Sequence, residues 1–222
     1  MKYRFNRIEE AVKDIQAGKL VIVMDSKERE YEGDLIGSAA MANAQTVNFM
    51  TKYARGAYIA VFMPYGLCDR LDIPPMGGAS NESFNQTKFR LAVDAKRSVS
   101  GSSAQDRALT VNLLAGVKTK PSDFVRPGHV VPIEANRDGL RSRRGHTEAG
   151  VELMKLAEID PPAAIDLEIL DDDGQMAHEE KLFELSRRFK LKIITIDDLV
   201  QYLEITPKRP PVRKKLAAGV GS

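Results

Sequence analysis

Short apolar runs alternate along this chain with stretches of helical period, and that alternation restricts it to a mixed α/β fold. The runs at 20–24, 57–63, 89–95, 130–133, 163–170 and 191–196 are rich in Val and Ile and read as strands. Ile8, Ala11, Val12 and Ile15 recur at helical spacing, and Gly18 follows as a stop. Residues 45–53, 147–157, 181–189 and 197–203 are also predicted helical, and Ser102 or Ser103 can cap another helix through Leu109, Val111 and Leu114. The polar stretch 25–34 and the Gly-, Ser-, Asn- and Pro-rich stretch 74–86 read as loops, with turns at 126–129 and 171–174. Periodicity does not fix the order of the strands.

At 222 residues the chain suits one compact domain, expected over 1–205. The segment 206–222 reads as a flexible basic tail, its part PKRPPVRKK carrying five basic residues and no acid. Thirty-three basic residues against 31 acidic ones leave a net charge of +2, too balanced to imply nucleic-acid binding from bulk charge alone. No apolar run approaches the roughly 20 residues of a membrane span, and no charged-then-apolar leader opens the sequence. One cysteine, Cys68, excludes an internal disulfide or a multi-thiolate zinc site, so a cytoplasmic setting is the expectation.

Two constellations carry chemistry. Glu30, Glu32 and Asp34 crowd a loop after a buried strand. Their mutual repulsion is relieved by a cation or a shared proton, and hard oxygen ligands suit magnesium or manganese. A solvated acidic loop is the equal alternative. Arg143-Arg144-Gly145-His146-Thr147 precedes an amphipathic helix. Guanidiniums, a hydroxyl and main-chain donors at a helix start fit a phosphate, and His146 adds a metal ligand or proton relay. An N-cap with exposed arginines is the plainer reading. Ser100 lies in a second hydroxyl-rich turn that can meet the same phosphate. His129 alone reads as structural, His178 as exposed and inert, and Cys68 as a bystander.

The segments VIVMDSKEREYEGDLIGSAA, RPGHVVPIEA, RRGHTEAGVELMKLA and DDDGQMA, in that order, resemble the 3,4-dihydroxy-2-butanone 4-phosphate synthase family of riboflavin biosynthesis. The resemblance runs from about Asn6 to Leu203. It implies that family's α/β (α+β) fold, a mixed sheet flanked by helices. It also implies a cytoplasmic homodimer with active sites at the subunit interface. The implied reaction is a magnesium-dependent lyase conversion of D-ribulose 5-phosphate to 3,4-dihydroxy-2-butanone 4-phosphate and formate. Carried over by position, Glu30 and His146 become metal ligands. Arg29, Asp34, Ser100, Arg143 and Thr147 become substrate contacts, and His129, Glu32 and Asp25 catalytic positions.

The chain departs from the family inside the site. Tyr31 stands where the family has Asn between two glutamates, which sets an aromatic ring beside a metal ligand and makes Tyr31 a substrate-contact candidate. Ala60 replaces a cysteine, and Asn85-Gln86-Thr87 replaces Tyr-Gly-Thr. The family glutamate on the strand after the His146 helix aligns with Leu167 counted forward and with Glu168 counted back from Gly174. Asp166 and Glu168 share one strand face, opposite Leu167, so both are acid/base candidates. Two other readings stay open: a paralogue acting on a related phosphosugar or performing part of the reaction, and an inactive binding or regulatory subunit.

Overall fold

The computed structural model describes residues 3–78 and 80–206. The predicted tail therefore lies outside the described residues, apart from Thr206. The chain order is α1 (Ile8–Gln16), β1 (Val21–Met24), β2 (Gly33–Ser38), α2 (Ala44–Tyr53), β3 (Ala60–Met63), α3 (Leu67–Arg70), β4 (Lys88–Phe89), β5 (Val93–Ala95), α4 (Ala104–Leu114), β6 (Phe124–Glu134), α5 (His146–Leu156), β7 (Ala164–Glu168), α6 (Glu179–Phe189), β8 (Lys192–Thr195) and α7 (Ile196–Ile205). The sheet runs β4-β6-β3-β7-β2-β1-β8, with β5 paired to β6 off this path. The β1–β8 and β3–β6 pairs are parallel, and the remaining pairs are antiparallel.

Both faces of the central strands are buried, which is why they read as continuous apolar runs. Ile22, Leu35, Val61, Ile165, Leu167 and Ile193 point to one core, shared with α2, α4 and α6. Val21, Val23, Ile36, Ala60, Phe62 and Ala164 point to the other, shared with α1, α5 and α7. Period-two alternation then puts Asp34, Asp166 and Glu168 on the α5 side of the sheet.

Three expectations need correction. Residues 33–38 form a central strand, β2, so the acidic loop ends earlier than predicted and Asp34 is a strand residue. Only Leu35 and Ile36 are apolar there, and Gly33, Asp34, Gly37 and Ser38 hide the run. The expected strand 89–95 is two strands, because β4 pairs with Ile133 and Glu134 while β5 pairs with Phe124, Val125 and Val130. The expected turn at 126–129 lies within the eleven-residue β6. The β5 ladder breaks register between Val93 and Asp94, close to Pro127 and Gly128, and a proline is tolerated at such a bulge.

Candidate active site

The loop between β1 and β2 is built around Asp25. Its Oδ1 accepts the Glu32 N–H at 2.8 Å, and its Oδ2 accepts the Glu30 N–H at 3.2 Å and Arg29 Nη1 at 2.7 Å. Arg29 also pairs with Glu30. Asp25 is thus the buried anchor of the loop, and Glu30 and Glu32 project into a cavity of about 260 Å³. Tyr31 projects the other way. It takes φ +57°, an uncommon angle for a bulky residue, and stacks on His178 with ring centroids 4.9 Å apart. His178 Nδ1 donates to the Tyr31 carbonyl at 3.0 Å. Tyr31 is therefore absent from the cavity wall, and His178, though exposed, holds the loop rather than standing idle.

His146 opens α5 and is buried. Its Nε2 lies 3.2 Å from the Val23 carbonyl, which can only accept, so Nε2 carries the proton and Nδ1 presents a lone pair. Burial holds the imidazolium form down, with a pKa of about 4, so the ring is neutral and competent as a ligand near neutral pH. One ligand atom each from Asp25, Glu30 and His146 falls within 4.8 Å of the others. Two carboxylates and one imidazole suit magnesium or manganese. Asp25, carried over from sequence as a catalytic position, lies instead among the groups that could hold a metal.

The opposite wall is made by Arg143 and Thr147. Gly145 caps α5 without a side chain, and a Cβ there would sit 2.3 Å from Arg143 Nη1, so only glycine lets the guanidinium lie across the helix start. Arg143 is held by Glu148 Oε2 at 2.7 Å, Thr87 Oγ1 at 2.8 Å and the Asn85 carbonyl at 3.1 Å. A guanidinium and a hydroxyl at a helix N-terminus are chemistry that suits an anion. Arg144 points away and pairs with Asp197 at 3.7 Å.

The floor is acidic. Asp34 faces Glu168 across the β2–β7 ladder, and Asp166 lies opposite Ile36 and Ala60. Leu167 packs into the far core, so Glu168, not Leu167, reaches the cavity, and Asp166 does too. Burial, then neighbouring carboxylates, raises Asp34, Asp166 and Glu168. The Oδ1 atoms of Asp34 and Asp166 are buried with no hydrogen-bond partner among the described residues. Tyr58, which sequence did not single out, lines the same wall, and burial plus these acids keeps its phenol protonated.

Glu32, half-buried, is pushed up to about 7 by burial first and then by Glu30, Glu168 and Asp25. A carboxyl raised from an ordinary 4.5 keeps a proton in the folded state that the unfolded chain has released. Its contribution to stability is full below that ordinary value and is lost as pH rises through about 7. In metal-free protein, Glu32→Gln is therefore expected to melt ~2–6 °C above the parent at about pH 8 and level with it at about pH 4, from roughly 1–2 kcal/mol after discounting for exposure. Thermal melts in chelator at both pH values check this; coincident curves at the higher pH would contradict it.

Two sequence candidates lie elsewhere. His129 Nδ1 meets Asp94 Oδ2 at 2.7 Å, and the His129 N–H donates to Asp94 Oδ1 at 2.9 Å. Ser100 donates through its main chain to Asp106 at 3.1 Å. Gly101, at φ +81°, packs against the Asp94–His129 pair, where a Cβ would lie 2.0 Å from Asp94 Oδ2. Neither His129 nor Ser100 lines this cavity. Cys68 is buried and its thiol is pushed up to about 12, consistent with a bystander.

Residues 9–202 match the family described as 3,4-dihydroxy-2-butanone 4-phosphate synthase. The chain belongs to this family. It is 45% identical over 204 residues to the riboflavin biosynthesis protein RibBA of Aquifex aeolicus, covering 90% of this chain and 50% of that protein. It is 41% identical over 198 residues to the 3,4-dihydroxy-2-butanone 4-phosphate synthase of Helicobacter hepaticus, covering 88% of this chain and 55% of that one. The chain thus spans about half the length of the curated relatives it matches. A solved synthase of this family, described in complex with two magnesium ions, superposes with a TM-score of 0.86 at 36% identity, covering 91% of this chain and 98% of that one. The mixed sheet flanked by helices is the fold of the synthase family. Among the described residues no helix is long and apolar enough to cross a membrane.

Proposed function

We propose that this chain is a magnesium- or manganese-dependent lyase of riboflavin biosynthesis, converting D-ribulose 5-phosphate to 3,4-dihydroxy-2-butanone 4-phosphate and formate. One observation carries the reading: a single cavity gathers the Glu30–His146 metal pair, the Arg143–Thr147 anion site and the carboxyls of Glu32, Asp34, Asp166 and Glu168. A phosphosugar needs all three, since its phosphate must be held away from the carbons where protons move.

A divalent ion at Asp25, Glu30 and His146 supplies positive charge to adjacent substrate oxygens when bound. Arg29 sits at the metal loop on the substrate side. Arg143 and Thr147 bind the phosphate and set the sugar's direction. Asp34 orients hydroxyls through its unpartnered Oδ1. Glu168 and Glu32, which line the cavity beside the metal loop, take and return protons. Water leaves in the dehydration and re-enters when formate is released, so the net change is carbon–carbon cleavage with no redox partner. With the metal, phosphate and acid groups assembled together, neither a partial-reaction paralogue nor an inactive subunit is favoured.

The proposal includes a cytoplasmic homodimer in which a second copy brings His129 and Ser100 to this cavity. Asp94 holds His129 half-exposed and oriented, as an intersubunit proton carrier requires. His129→Ala and His146→Ala, each inactive alone, are then expected to regain about a quarter of parental activity after unfolding together and refolding, because half the dimers carry one intact site of two. No recovery in a mixture shown to contain heterodimer would place His129 in its own subunit's chemistry. The activity itself is tested by incubating the protein with ribulose 5-phosphate and magnesium and following both products by NMR. Stoichiometric formate and four-carbon phosphate are expected, and intact substrate beside folded, metal-loaded protein would refute the assignment.

A further inference from the structure

The loop that closes one side of the cavity contains a residue in contact with both functional halves. Asn85 Nδ2 donates to Glu30 Oε1 at 2.5 Å. Its main-chain carbonyl accepts Arg143 Nε at 3.1 Å, and Arg143 Nη2 reaches Thr87 Oγ1 at 2.8 Å. Asn85 and Gln86 both lie at φ +55°. Asn enters that region more readily than most residues with a side chain, and Gln does not share the preference. Two successive left-handed residues persist only where surrounding contacts hold them. Here the Gln86 N–H donates to the Ser83 carbonyl at 3.1 Å within the turn, and Asn85 is held from outside it by Glu30 on one side and Arg143 on the other.

We propose that Asn85 is a positioning residue that ties the anion-binding arginine to the metal-binding glutamate, so that an anion on Arg143 raises the affinity for the metal. The inference rests on the metal and phosphate reading above. Arg29 occupies the second oxygen of Glu30, and the Asn85 amide fixes the first, so the carboxylate is oriented before an ion arrives. Hydrogen bonds to metal ligands typically govern 10–100-fold in metal affinity. An anion on Arg143 pins the guanidinium and, through the Asn85 carbonyl, the loop. Linkage then requires the metal to tighten anion binding by the same factor. No metal bond to Asn85 is involved, and its effect runs through Glu30.

The informative variant is Asn85→Gly. Glycine keeps the main-chain carbonyl and accepts φ +55° without strain, so only the amide is lost. Manganese binding is measured by electron paramagnetic resonance, with and without sulfate as a phosphate-shaped anion, on the parent, Asn85→Gly and His146→Ala. The expected result is about tenfold weaker manganese binding in Asn85→Gly, with the sulfate-induced gain in affinity reduced and sulfate affinity in the absence of metal unchanged. Parental manganese affinity and an undiminished sulfate effect in Asn85→Gly would overturn this inference alone. Equal manganese binding by the parent and His146→Ala would overturn the metal assignment and this inference with it. A thermal melt of each variant confirms that folded proteins are compared.

Discussion

His146→Ala and Glu30→Gln are each expected to lower formate release by at least about 10³-fold, because each removes a ligand to the charge that stabilises developing negative oxygen. The effect should exceed the roughly 100-fold seen when only a supporting hydrogen bond to a ligand is lost. His146 is buried at the start of α5, with Nε2 committed to the Val23 carbonyl and Nδ1 3.4 Å from Asp34 Oδ2, so its loss removes the one imidazole ligand atom of the Asp25–Glu30–His146 group. Manganese titration separates the causes. Both variants should lose metal affinity while retaining the fold, which circular dichroism follows. A variant that binds manganese as the parent does and still turns over would remove that residue from the ligand set.

Glu168→Gln is expected to reduce kcat by about 10²–10⁴-fold with little change in metal affinity, the range for loss of a positioned acid or base. The neighbouring residue gives the contrast. Leu167 points into the opposite core, so Leu167→Ala should cost roughly 2–5 kcal/mol of stability while the protein that stays folded keeps its kcat. A steady-state assay beside a denaturant melt distinguishes the two. If Leu167→Ala lost turnover at full stability and Glu168→Gln did not, the strand would present the other face to substrate.

The conflicting counts at 166–168 show where linear reading stopped. Counting from His146 and counting from Gly174 gave different residues. Strand β7 resolves the conflict because side chains alternate between faces, and Leu167 is needed in the core shared with α2, α4 and α6. Tyr31 shows the same limit in a loop. Sequence placed its ring beside the metal ligand because it lies between Glu30 and Glu32. The positive φ and the stack on His178, 147 positions away, turn it outward.

What the sequence alone determined was the chemistry available and most of the elements that carry it. The apolar runs at 20–24 and 191–196 and the helical spacing of Ile8, Ala11 and Ile15 are local signals, because burial on one helix stripe or through a whole strand leaves a periodic record. The motif around Arg143, His146 and Thr147 was legible for the same reason, since its donors are contiguous at one helix start. Strand β2 escaped because its buried positions include Asp34 and two glycines, whose presence is explained by the cavity and by close packing. Tertiary structure alone decided which groups meet. It gathered Asp25 with Glu30 and His146, set Glu168 across from Asp34, and brought Asn85 between Glu30 and Arg143. It also left His129 and Ser100 outside this cavity, with Asp94 and Asp106. Those meetings depend on strand order and on the path of long loops, which are set by the packing of distant segments and leave no period in the chain.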